Sequence, residues 1–343
     1  MGTSRSIVIF GGSGFIGSHF AQYVLRKKIV ETVTLVDLGA PRDESYTSLV
    51  QSGLQSGVVK FIRWDVRQKI PPELVAERPE LIANFAAVHR EPGHLPKEYF
   101  ETNINGANNI CLYASQVDCS RIIFLSSISP YGRADEMRDE TSLPVPDTPY
   151  GSSKLVAEMV HKEWQAACSK RKILIIRPGV VFGPGENGNV TRLIKSVSGG
   201  YFVYMGNRNI RKAGGYVKEL CSVIEFGLNY QEDKGESSTV LNFSMDPPPT
   251  LEDYVEAIKK VIGRTGHPVS LPRSVVLGTS YLAEGIARVL RVRQPLNPTR
   301  VRKLFRSTQI DPRRLREIEY RWKFGLLEAL LDWKEESPGD FHR

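Results

Sequence analysis

The sequence predicts an α/β fold, a doubly wound parallel sheet of about seven strands with a smaller, mainly helical second domain. Short apolar runs alternate with helix-length segments up to Pro178, and a glycine-rich turn follows the first run. After Pro178 the chain becomes rich in glycine, proline and asparagine and loses this alternation. Continuous apolar runs indicate strands buried on both faces, which is typical of parallel sheets.

Each expected strand is a run rich in Ile, Val, Leu or Phe. The runs are Ser6–Phe10, Thr32–Val36, Val58–Ile62, Leu81–Phe85, Arg121–Leu125, Ile173–Arg177 and Thr239–Phe243. The helices expected around them are Ile16–Lys27, Asn103–Gln116, Ser152–Ser169, Thr191–Ser198 and Tyr216–Leu228. After the break at residues 246–249, Thr250 is expected to cap a helix over Leu251–Ile262, with Asp253 completing a weak capping box.

The glycine-rich turn lies in the run IVIFGGSGFIG. Its glycine spacing lets a backbone approach a pyrophosphate, and the helix that follows supplies N–H donors and a partial positive charge. Asp37 ends the second strand, where a carboxylate accepts from adenosine ribose hydroxyls and repels a 2′-phosphate. We therefore expect NAD rather than NADP, although Arg42 in the next loop favours NADP. The expected contacts are Gly11, Gly14, Phe15, Ile16, Gly17 and Asp37.

The expected domains follow from this turn. Residues 1–179 and about 215–245 are assigned to a Rossmann-type NAD-binding domain, and about 180–214 and 246–343 to a substrate domain.

Tyr150 and Lys154 form a YxxxK pair at the start of the helix after the fifth strand. Their spacing puts both side chains on one helix face. A nearby ammonium lowers the pKa of a phenol towards neutrality, which makes it a general acid/base for alcohol–ketone interconversion. Ser126 and Ser127 end the fifth strand, so we expect both to face the nicotinamide, with a hydroxyl on the reacting oxygen. The alternative is structural: serines that cap the strand and an exposed tyrosine.

These residues resemble the extended short-chain dehydrogenase/reductases, and above all bacterial nucleotide-sugar epimerase/dehydratase proteins of surface-polysaccharide synthesis. The similar stretches are GGSGFIG, Asp37, Asp65-Val66, residues 84–87, Asn103, residues 126–132, YGSSK at 150–154 and RPGVVFGPG at 177–185. The resemblance spans about residues 6–220 and is thin afterwards. It implies NAD as cofactor, a UDP-, GDP- or dTDP-linked sugar as substrate, and a homodimer.

The resemblance also implies roles for single residues. It makes Ser127 the catalytic serine, Tyr150 the acid/base and Lys154 its partner. The implied cofactor contacts are Asp65, Val66, Ala86, Ala87, His89, Asn103, Ser126, Tyr150, Lys154 and Pro178. The implied substrate contacts are Ser127, Asn189, Arg211 and Lys212. His89 replaces a lysine that contacts the cofactor ribose in sugar 4-epimerases, and a purely structural histidine is its alternative. No metal site is expected.

The departures from the family pattern narrow the reaction. Dehydratases carry carboxylates directly after the catalytic serine or threonine, whereas Ser127 is followed by Ile128 and Ser129. Ile128 also differs from the cysteine of the epimerase/reductases that make GDP-fucose. Val180 replaces an asparagine that contacts substrate. We therefore expect hydride chemistry without dehydration.

The leading hypothesis is an NAD-dependent nucleotide-sugar epimerase, most simply a 4-epimerase. The alternatives are a nucleotide-sugar 4-ketoreductase or dehydrogenase, a dehydrogenase of another secondary alcohol, and a non-catalytic NAD-binding regulator. The chain keeps both Tyr150 and Lys154, which regulators of this type usually lose.

The net charge of +8 is concentrated near the C-terminus, where Arg288–Lys323 holds 12 basic residues against three acidic ones. We interpret this as a solvated cationic face, with attraction of a diphosphate substrate or an anionic membrane as alternatives. The apolar pattern of Val275–Val292 is expected to pack on the substrate domain or to rest on lipid. Nucleic acid is not expected, because no nucleic-acid module is present. With no signal peptide and no apolar run of about 18 residues, a cytoplasmic location is expected.

Overall fold

The central sheet of the protein is entirely parallel. The computed structural model describes residues 5–75, 77–91, 93–133, 136–272, 274, 275, 278 and 307–342. The strands in these ranges are β1 Ser6–Phe10, β2 Thr32–Asp37, β3 Val59–Arg63, β4 Leu81–Asn84, β5 Arg121–Leu125, β6 Lys172–Pro178, β7 Val180–Phe182, β8 Tyr204–Met205, β9 Gly214–Tyr216, β10 Ser238–Phe243 and β11 Ser270–Leu271. Across the described chain, seven of them form one sheet in the order β3-β2-β1-β4-β5-β6-β10.

This strand order confirms the predicted doubly wound sheet. The order reverses between β1 and β4, and such a reversal opens a crevice beyond the carboxyl ends of the strands. All seven apolar runs form the predicted strands, with ends that differ by one residue or not at all.

The helices alternate with the strands. They are α1 Phe15–Arg26, α2 Ser48–Ser56, α3 Pro96–Tyr99, α4 Asn105–Gln116, α5 Pro149–Ala166, α6 Asn189–Gly199, α7 Val217–Lys234, α8 Leu251–Ile262, α9 Arg313–Glu317 and α10 Leu326–Glu336. A π-helical turn over Phe100–Ile104 leads into α4. The search of the described helices found none with the length and apolar character needed to cross a membrane.

Two apolar layers cover the two faces of the sheet. On one face, α1, α2 and α7 pack through side chains such as Phe20, Val50 and Leu220. On the other face, α4 and α5 pack through Ile110 and Trp164. The strands are therefore buried on both sides, which explains their continuous apolar runs.

A third apolar cluster lies beside the sheet and joins α6, α8 and α10 around Phe182 and Trp333. Its helices come from residues on both sides of β10. The capping box at α8 is confirmed, since Thr250 Oγ1 accepts from the Asp253 N–H at 3.1 Å and Asp253 Oδ2 accepts from the Thr250 N–H at 2.8 Å.

The predicted boundary at residue 246 does not separate the packing clusters. Leu315 and Tyr320 are buried in the layer on the α1, α2 and α7 side of the sheet, whereas residues 246–343 were all assigned to the substrate domain. Leu315 and Tyr320 pack with the apolar side chains of β10 at the edge of the sheet, because burying apolar surface there is favourable wherever these residues lie in the chain.

In the described part of the basic segment Arg288–Lys323, most of the arginines form ion pairs with carboxylates. Arg313 lies 2.8 Å from Glu317, Arg314 lies 2.6 Å from Glu236, and Arg316 lies 3.0 Å from Asp246. These ion pairs argue against a freely solvated cationic face over residues 307–323. Residues 288–306 and most of Val275–Val292 lie outside the described residues.

The capping box predicts the effect of a point substitution. Thr250→Ala removes the hydroxyl that accepts from the first turn of α8, so we expect the free energy of unfolding to fall by about 1 kcal/mol. Urea denaturation followed by circular dichroism measures it. Thr265→Ala, at an exposed position just after α8, is the control and should change stability little. Equal stability of the Thr250→Ala variant and the wild type would contradict the prediction.

Candidate active site

A cavity of about 1020 Å³ opens at the carboxyl ends of the central strands. Its walls include residues that end or follow β1, β2, β3, β4, β5 and β6, together with residues of α5 and α6. The predicted site residues that line it are Gly11, Gly14, Phe15, Ile16, Gly17, Asp37, Asp65, Val66, Ala86, Ala87, His89, Ser126, Ser127, Tyr150, Lys154, Pro178 and Asn189. The parallel sheet therefore brings together residues that are far apart in sequence.

The glycine turn is packed against its own helix and against the end of β4. Gly11 has a φ of +77°, and a Cβ there would lie 2.6 Å from the Ala86 nitrogen. A Cβ on Gly17 would lie 2.2 Å from the Gly11 carbonyl oxygen. At Gly14, which lines the cavity and caps α1 without a side chain, a Cβ meets only the Gly11 oxygen at 3.2 Å. No side chain covers the backbone N–H groups at the start of α1, so they can bind an anion such as a dinucleotide pyrophosphate.

Asp37 presents an oriented carboxylate beside this turn. Its Oδ2 accepts from the Ser13 N–H at 3.1 Å and its Oδ1 from the Leu38 N–H at 2.7 Å. Both bonds come from backbone donors, so the carboxylate keeps its direction at the cavity edge. This placement fits the predicted contact with ribose hydroxyls.

Asp65 lies further along the same wall. Arg67 approaches it with two guanidinium nitrogens, at 2.9 Å from Nε and 2.6 Å from Nη2 to Oδ2. The charged hydrogen bonds with Arg67 hold the pKa of Asp65 below its usual range. Arg67 was not among the predicted residues, and its own place in the cavity wall makes it part of the site.

The predicted catalytic groups meet at the carboxyl end of β5. Tyr150 and Ser127 both line the cavity here, and the Ser127 hydroxyl acts to lower the pKa of Tyr150. Ser127 in turn donates to the Ser129 hydroxyl at 3.1 Å and accepts from the Ser129 N–H at 3.1 Å. Lys154, on the same face of α5 as Tyr150, donates from Nζ to the Leu125 carbonyl at 2.6 Å and lies 4.4 Å from the centroid of the Phe124 ring. The arrangement can move a proton to or from an oxygen placed beside Ser127.

The predicted lowering of the Tyr150 pKa is not found. Burial raises the pKa of Tyr150 to about 12, and the hydrogen bond with Ser127 opposes this only in part. Burial also lowers the pKa of Lys154 to about 7, against the attraction of the Glu158 carboxylate. Burial therefore sets the direction of the Tyr150 shift, and Lys154 is not among the groups that oppose it.

Ser126 differs from its prediction. Its hydroxyl donates to Glu158 Oε1 at 2.5 Å, so it is directed at the protein interior although its backbone borders the cavity. Of the two serines, Ser127 is the one whose hydroxyl influences the pKa of Tyr150. Spacing alone did not distinguish them, because the partner of the Ser126 hydroxyl, Glu158, is distant in sequence.

Asn103 supports the cavity without lining it. Its side chain is 3% exposed, and its amide accepts from the Val88 N–H at 2.9 Å and donates to the Val88 carbonyl at 3.1 Å and to Ser153 at 2.9 Å. These bonds hold the loop after β4, including Ala87 and His89, against α5. These bonds give Asn103 a supporting place in the wall, and its direct contact with the cofactor stays a prediction.

Arg211 and Lys212 lie outside the cavity lining. Arg211 Nη1 donates to the Pro248 carbonyl at 2.6 Å, and burial lowers the pKa of Lys212 to about 8. The arginine of α6 that does line the cavity is Arg192, which donates from Nη2 to the predicted Asn189 at 2.7 Å. The three-residue spacing of these two on one helix was the available signal for Arg192.

Carboxylates do line the cavity, though not at the positions used by the dehydratases. The two residues directly after Ser127 are Ile128 and Ser129, and neither has a carboxylate. Glu91 and Glu98, from the loop and helix after β4, border the cavity on the Tyr150 side. Burial lowers the pKa of the neighbouring His89, which favours its neutral form. In the described chain, the search for metal-ligating groups of three or more side chains found none.

Comparison with known proteins points in one direction. The model of the NAD dependent epimerase/dehydratase family matches residues 7–242. N-acetyl-alpha-D-glucosaminyl-diphospho-ditrans,octacis-undecaprenol 4-epimerase of Escherichia coli O157:H7 is 24% identical over 326 residues, which is 95% of this chain and 93% of that protein. UDP-glucose 4-epimerase of Rhizobium meliloti is 24% identical over 292 residues, with 76% and 83% covered.

Solved structures share the fold. UDP-glucuronic acid 4-epimerase from Bacillus cereus in complex with NAD gives a TM-score of 0.75 at 19% identity, with 98% of this chain and 100% of that chain covered. The UDP-Glc/GlcNAc 4-epimerase of Campylobacter jejuni gives 0.73 at 20% identity, with 96% and 99% covered. At these identities the likeness shows the shared architecture.

The pKa of Lys154 predicts how stability depends on pH. Folding lowers this pKa from 10.5 to about 7, so the unfolded chain holds the proton more tightly. The free-energy cost of burying charged Lys154 is therefore fully present below pH 7. This cost decreases as the pH rises towards 10.5. We expect Lys154→Met to raise the free energy of unfolding by more at pH 6 than at pH 9, as measured by urea denaturation.

Lys162→Met is the control, because Lys162 lies exposed on the same helix. Its effect on unfolding should be small at both pH values. A Lys154→Met effect that is independent of pH would refute the assigned burial cost.

Proposed function

This chain belongs to the NAD-dependent epimerase/dehydratase family, and from that premise we propose that it is a nucleotide-sugar 4-epimerase of surface-polysaccharide synthesis. The observation that carries the proposal is the meeting of Ser127, Tyr150 and Lys154 in one cavity with the dinucleotide turn. Ile128 and Ser129 stand where dehydratases carry proton-transferring carboxylates. The 4-epimerases among the relatives support the same choice.

The cofactor fits the residues that are present. Gly14 and the start of α1 would hold the pyrophosphate of NAD, and Asp37 the adenosine ribose. NAD supplies a hydride acceptor that can return the hydride to either face of a sugar carbon. Lys154 and Tyr150 line the cavity beyond the turn, where the nicotinamide end would lie.

In the proposed mechanism, Tyr150 removes and returns the proton of the sugar 4-hydroxyl. Ser127 hydrogen-bonds the same oxygen and holds it next to the phenol. Because burial raises the pKa of Tyr150, a phenolate needs positive charge in the same enclosed space. We assign this positive charge to the ammonium of Lys154, which lines the same cavity one helical turn after Tyr150 on α5.

The substrate end of the cavity suits a diphosphate. Arg192 and Asn189 lie in the first turn of α6, whose N-terminus carries a partial positive charge. Glu186 occupies part of this terminus, since its Oε2 accepts from the Thr191 N–H at 2.8 Å. We therefore assign the diphosphate to Arg192 and Asn189, with Arg211 and Lys212 behind the wall. The relatives act on sugars linked to UDP or to a lipid diphosphate, so the shared chemistry is a diphosphate-linked hexose.

We also propose that the enzyme is a cytoplasmic homodimer. Leu112 on α4 and Met159 on α5 are 59% and 57% exposed, and Val156 lies one helical turn before Met159. These apolar side chains belong to two helices that pack against each other, and a second copy would cover them.

The activity predicts a sharp dependence on Tyr150. We expect interconversion of a 4-epimer pair for at least one UDP-, GDP- or dTDP-hexose, or for a polyprenyl-diphosphate hexose. Tyr150→Phe should lower kcat by at least about 100-fold with a small change in KM, because the phenol acts on the reacting hydroxyl. Nuclear magnetic resonance of the sugar products measures both.

Tyr201→Phe, at a 69% exposed tyrosine, is the control and should retain activity. Mass spectrometry after mild denaturation should release NAD that co-purified with the protein. Net accumulation of NADH with substrate would show a dehydrogenase instead, and no conversion of any such sugar would defeat the proposal.

The dimer is tested at its exposed apolar face. Leu112→Glu combined with Met159→Lys should convert the protein from twice the chain mass to the monomer mass, because charges replace apolar surface buried between copies. Light scattering after size exclusion measures the mass. Leu331→Glu, at a 49% exposed leucine on α10, should leave the dimer intact. A monomeric wild type would contradict the proposal.

A further inference from the structure

Glu158 takes no part in the proposed proton transfers, yet it lies next to Lys154 on the helix that carries Tyr150. It follows Tyr150 and Lys154 at four-residue intervals on α5, so the three side chains share a helix face. Its side chain is 1% exposed. A carboxylate at this depth requires partners, since an unpaired buried charge is very costly.

The partners of Glu158 come from two neighbouring strands. Arg177 on β6 donates from Nε to Oε1 at 2.9 Å and from Nη2 to Oε2 at 2.6 Å. Ser126, just after β5, donates to Oε1 at 2.5 Å. Arg177 continues the network by donating to the Tyr131 hydroxyl at 2.8 Å, which donates to Asn242 on β10 at 2.8 Å. One carboxylate thus ties α5 to the ends of three strands.

Stability alone is a weak reason for such an arrangement. A buried ion pair gains little over apolar side chains of similar volume, because desolvation offsets the attraction. An apolar pair would also not fix the orientation of α5, because apolar contacts have no preferred direction. The bidentate bond to Arg177 and the short bond from Ser126 instead set the rotation and the height of α5 over the sheet.

The same strand end holds the reacting groups. Leu125, the last residue of β5, accepts from Lys154, and the next residue, Ser126, donates to Glu158. Ser127, which follows, lines the cavity together with Tyr150. The Glu158 contact therefore fixes α5 beside the strand end that carries Ser127. A shift of α5 would change the distance between the Tyr150 phenol and the Ser127 hydroxyl.

We propose that Glu158 is a positioning residue for the epimerisation, clamped by Arg177 and Ser126 so that α5 holds Tyr150 and Lys154 in register with Ser127. The proposal rests on the proposed function. Arg177 is its required counter-ion, and Tyr131 extends the clamp to β10.

The clamp also has an electrostatic consequence. The titratable or charged groups around Lys154 are Tyr150, Glu158 and His161 on α5, His89 in the loop after β4, and Arg177 on β6 beyond Glu158. Burial lowers the pKa of His161 to about 4, so this histidine is neutral. The Glu158 carboxylate raises the pKa of Lys154 against the effect of burial. Loss of the carboxylate should lower that pKa further, so the ammonium would be lost at a lower pH.

Two variants test the clamp. Glu158→Gln keeps the shape but removes the charge, and should lower kcat by about 10- to 100-fold with KM within about threefold. The alkaline limit of kcat should move down by about one pH unit. The double variant Glu158→Leu/Arg177→Met replaces the pair with apolar side chains of similar volume. It should stay folded by circular dichroism while kcat falls as far as in Glu158→Gln.

The matched control is Glu219→Gln. Glu219 is 2% exposed on α7, is not part of the cavity lining, and accepts from the Lys323 and Phe324 N–H groups at 3.0 and 2.9 Å. Loss of its charge is directly comparable with the loss at Glu158. We expect lower stability with unchanged kcat and an unchanged alkaline limit.

NAD binding provides a readout that does not depend on the sugar. Between pH 6 and 9, the affinity of Glu158→Gln for NAD should begin to fall at a lower pH than that of the wild type. If no sugar is converted but this shift is seen, the proposed function fails and the electrostatic role of Glu158 stands. A folded double variant with wild-type kcat, or Glu158→Gln with an unchanged alkaline limit and unchanged NAD profile, would overturn the proposal.

Discussion

The close backbone packing at the glycine turn is the constraint on which the rest of the site depends. Gly11 adopts a left-handed conformation against Ala86, and Gly17 contacts the carbonyl of Gly11. Side chains at these two positions would separate β1 from β4 and lift α1 off the sheet. With glycine there, the start of α1 lies at the point where strand order reverses, and the crevice for a dinucleotide follows from the topology.

A second constraint is the free-energy cost of ionising side chains that are removed from water. The catalytic helix α5 carries Tyr150, Lys154 and Glu158 on one face, where Lys154 and Glu158 are buried and Tyr150 is partly buried at the cavity wall. Burial opposes both ionised forms that the proposed chemistry needs, the phenolate and the ammonium. Fixed partners therefore matter more than sequence spacing: a carbonyl for Lys154 and a guanidinium for Glu158.

The sequence predicted most of the fold because its signals are local. Strands buried on both faces must be continuously apolar, and the pyrophosphate turn must be glycine-rich, so both are visible without the structure. The boundary at residue 246 stays a prediction, because the packing that bears on it is not local. Leu315 and Tyr320 pack on the sheet through contacts with residues far away in the chain, and no local pattern announces them.

The chemistry of the site divides in the same way. The sequence by itself determined the dinucleotide turn, Asp37 at the end of β2, and the pairing of Tyr150 with Lys154, because each depends on residue type and spacing. Only the tertiary structure decided which serine faces Tyr150, that Arg192 rather than Arg211 lines the cavity, and that Glu158 clamps α5. These outcomes depend on strand twist, burial and the meeting of distant elements, which residue order does not encode locally.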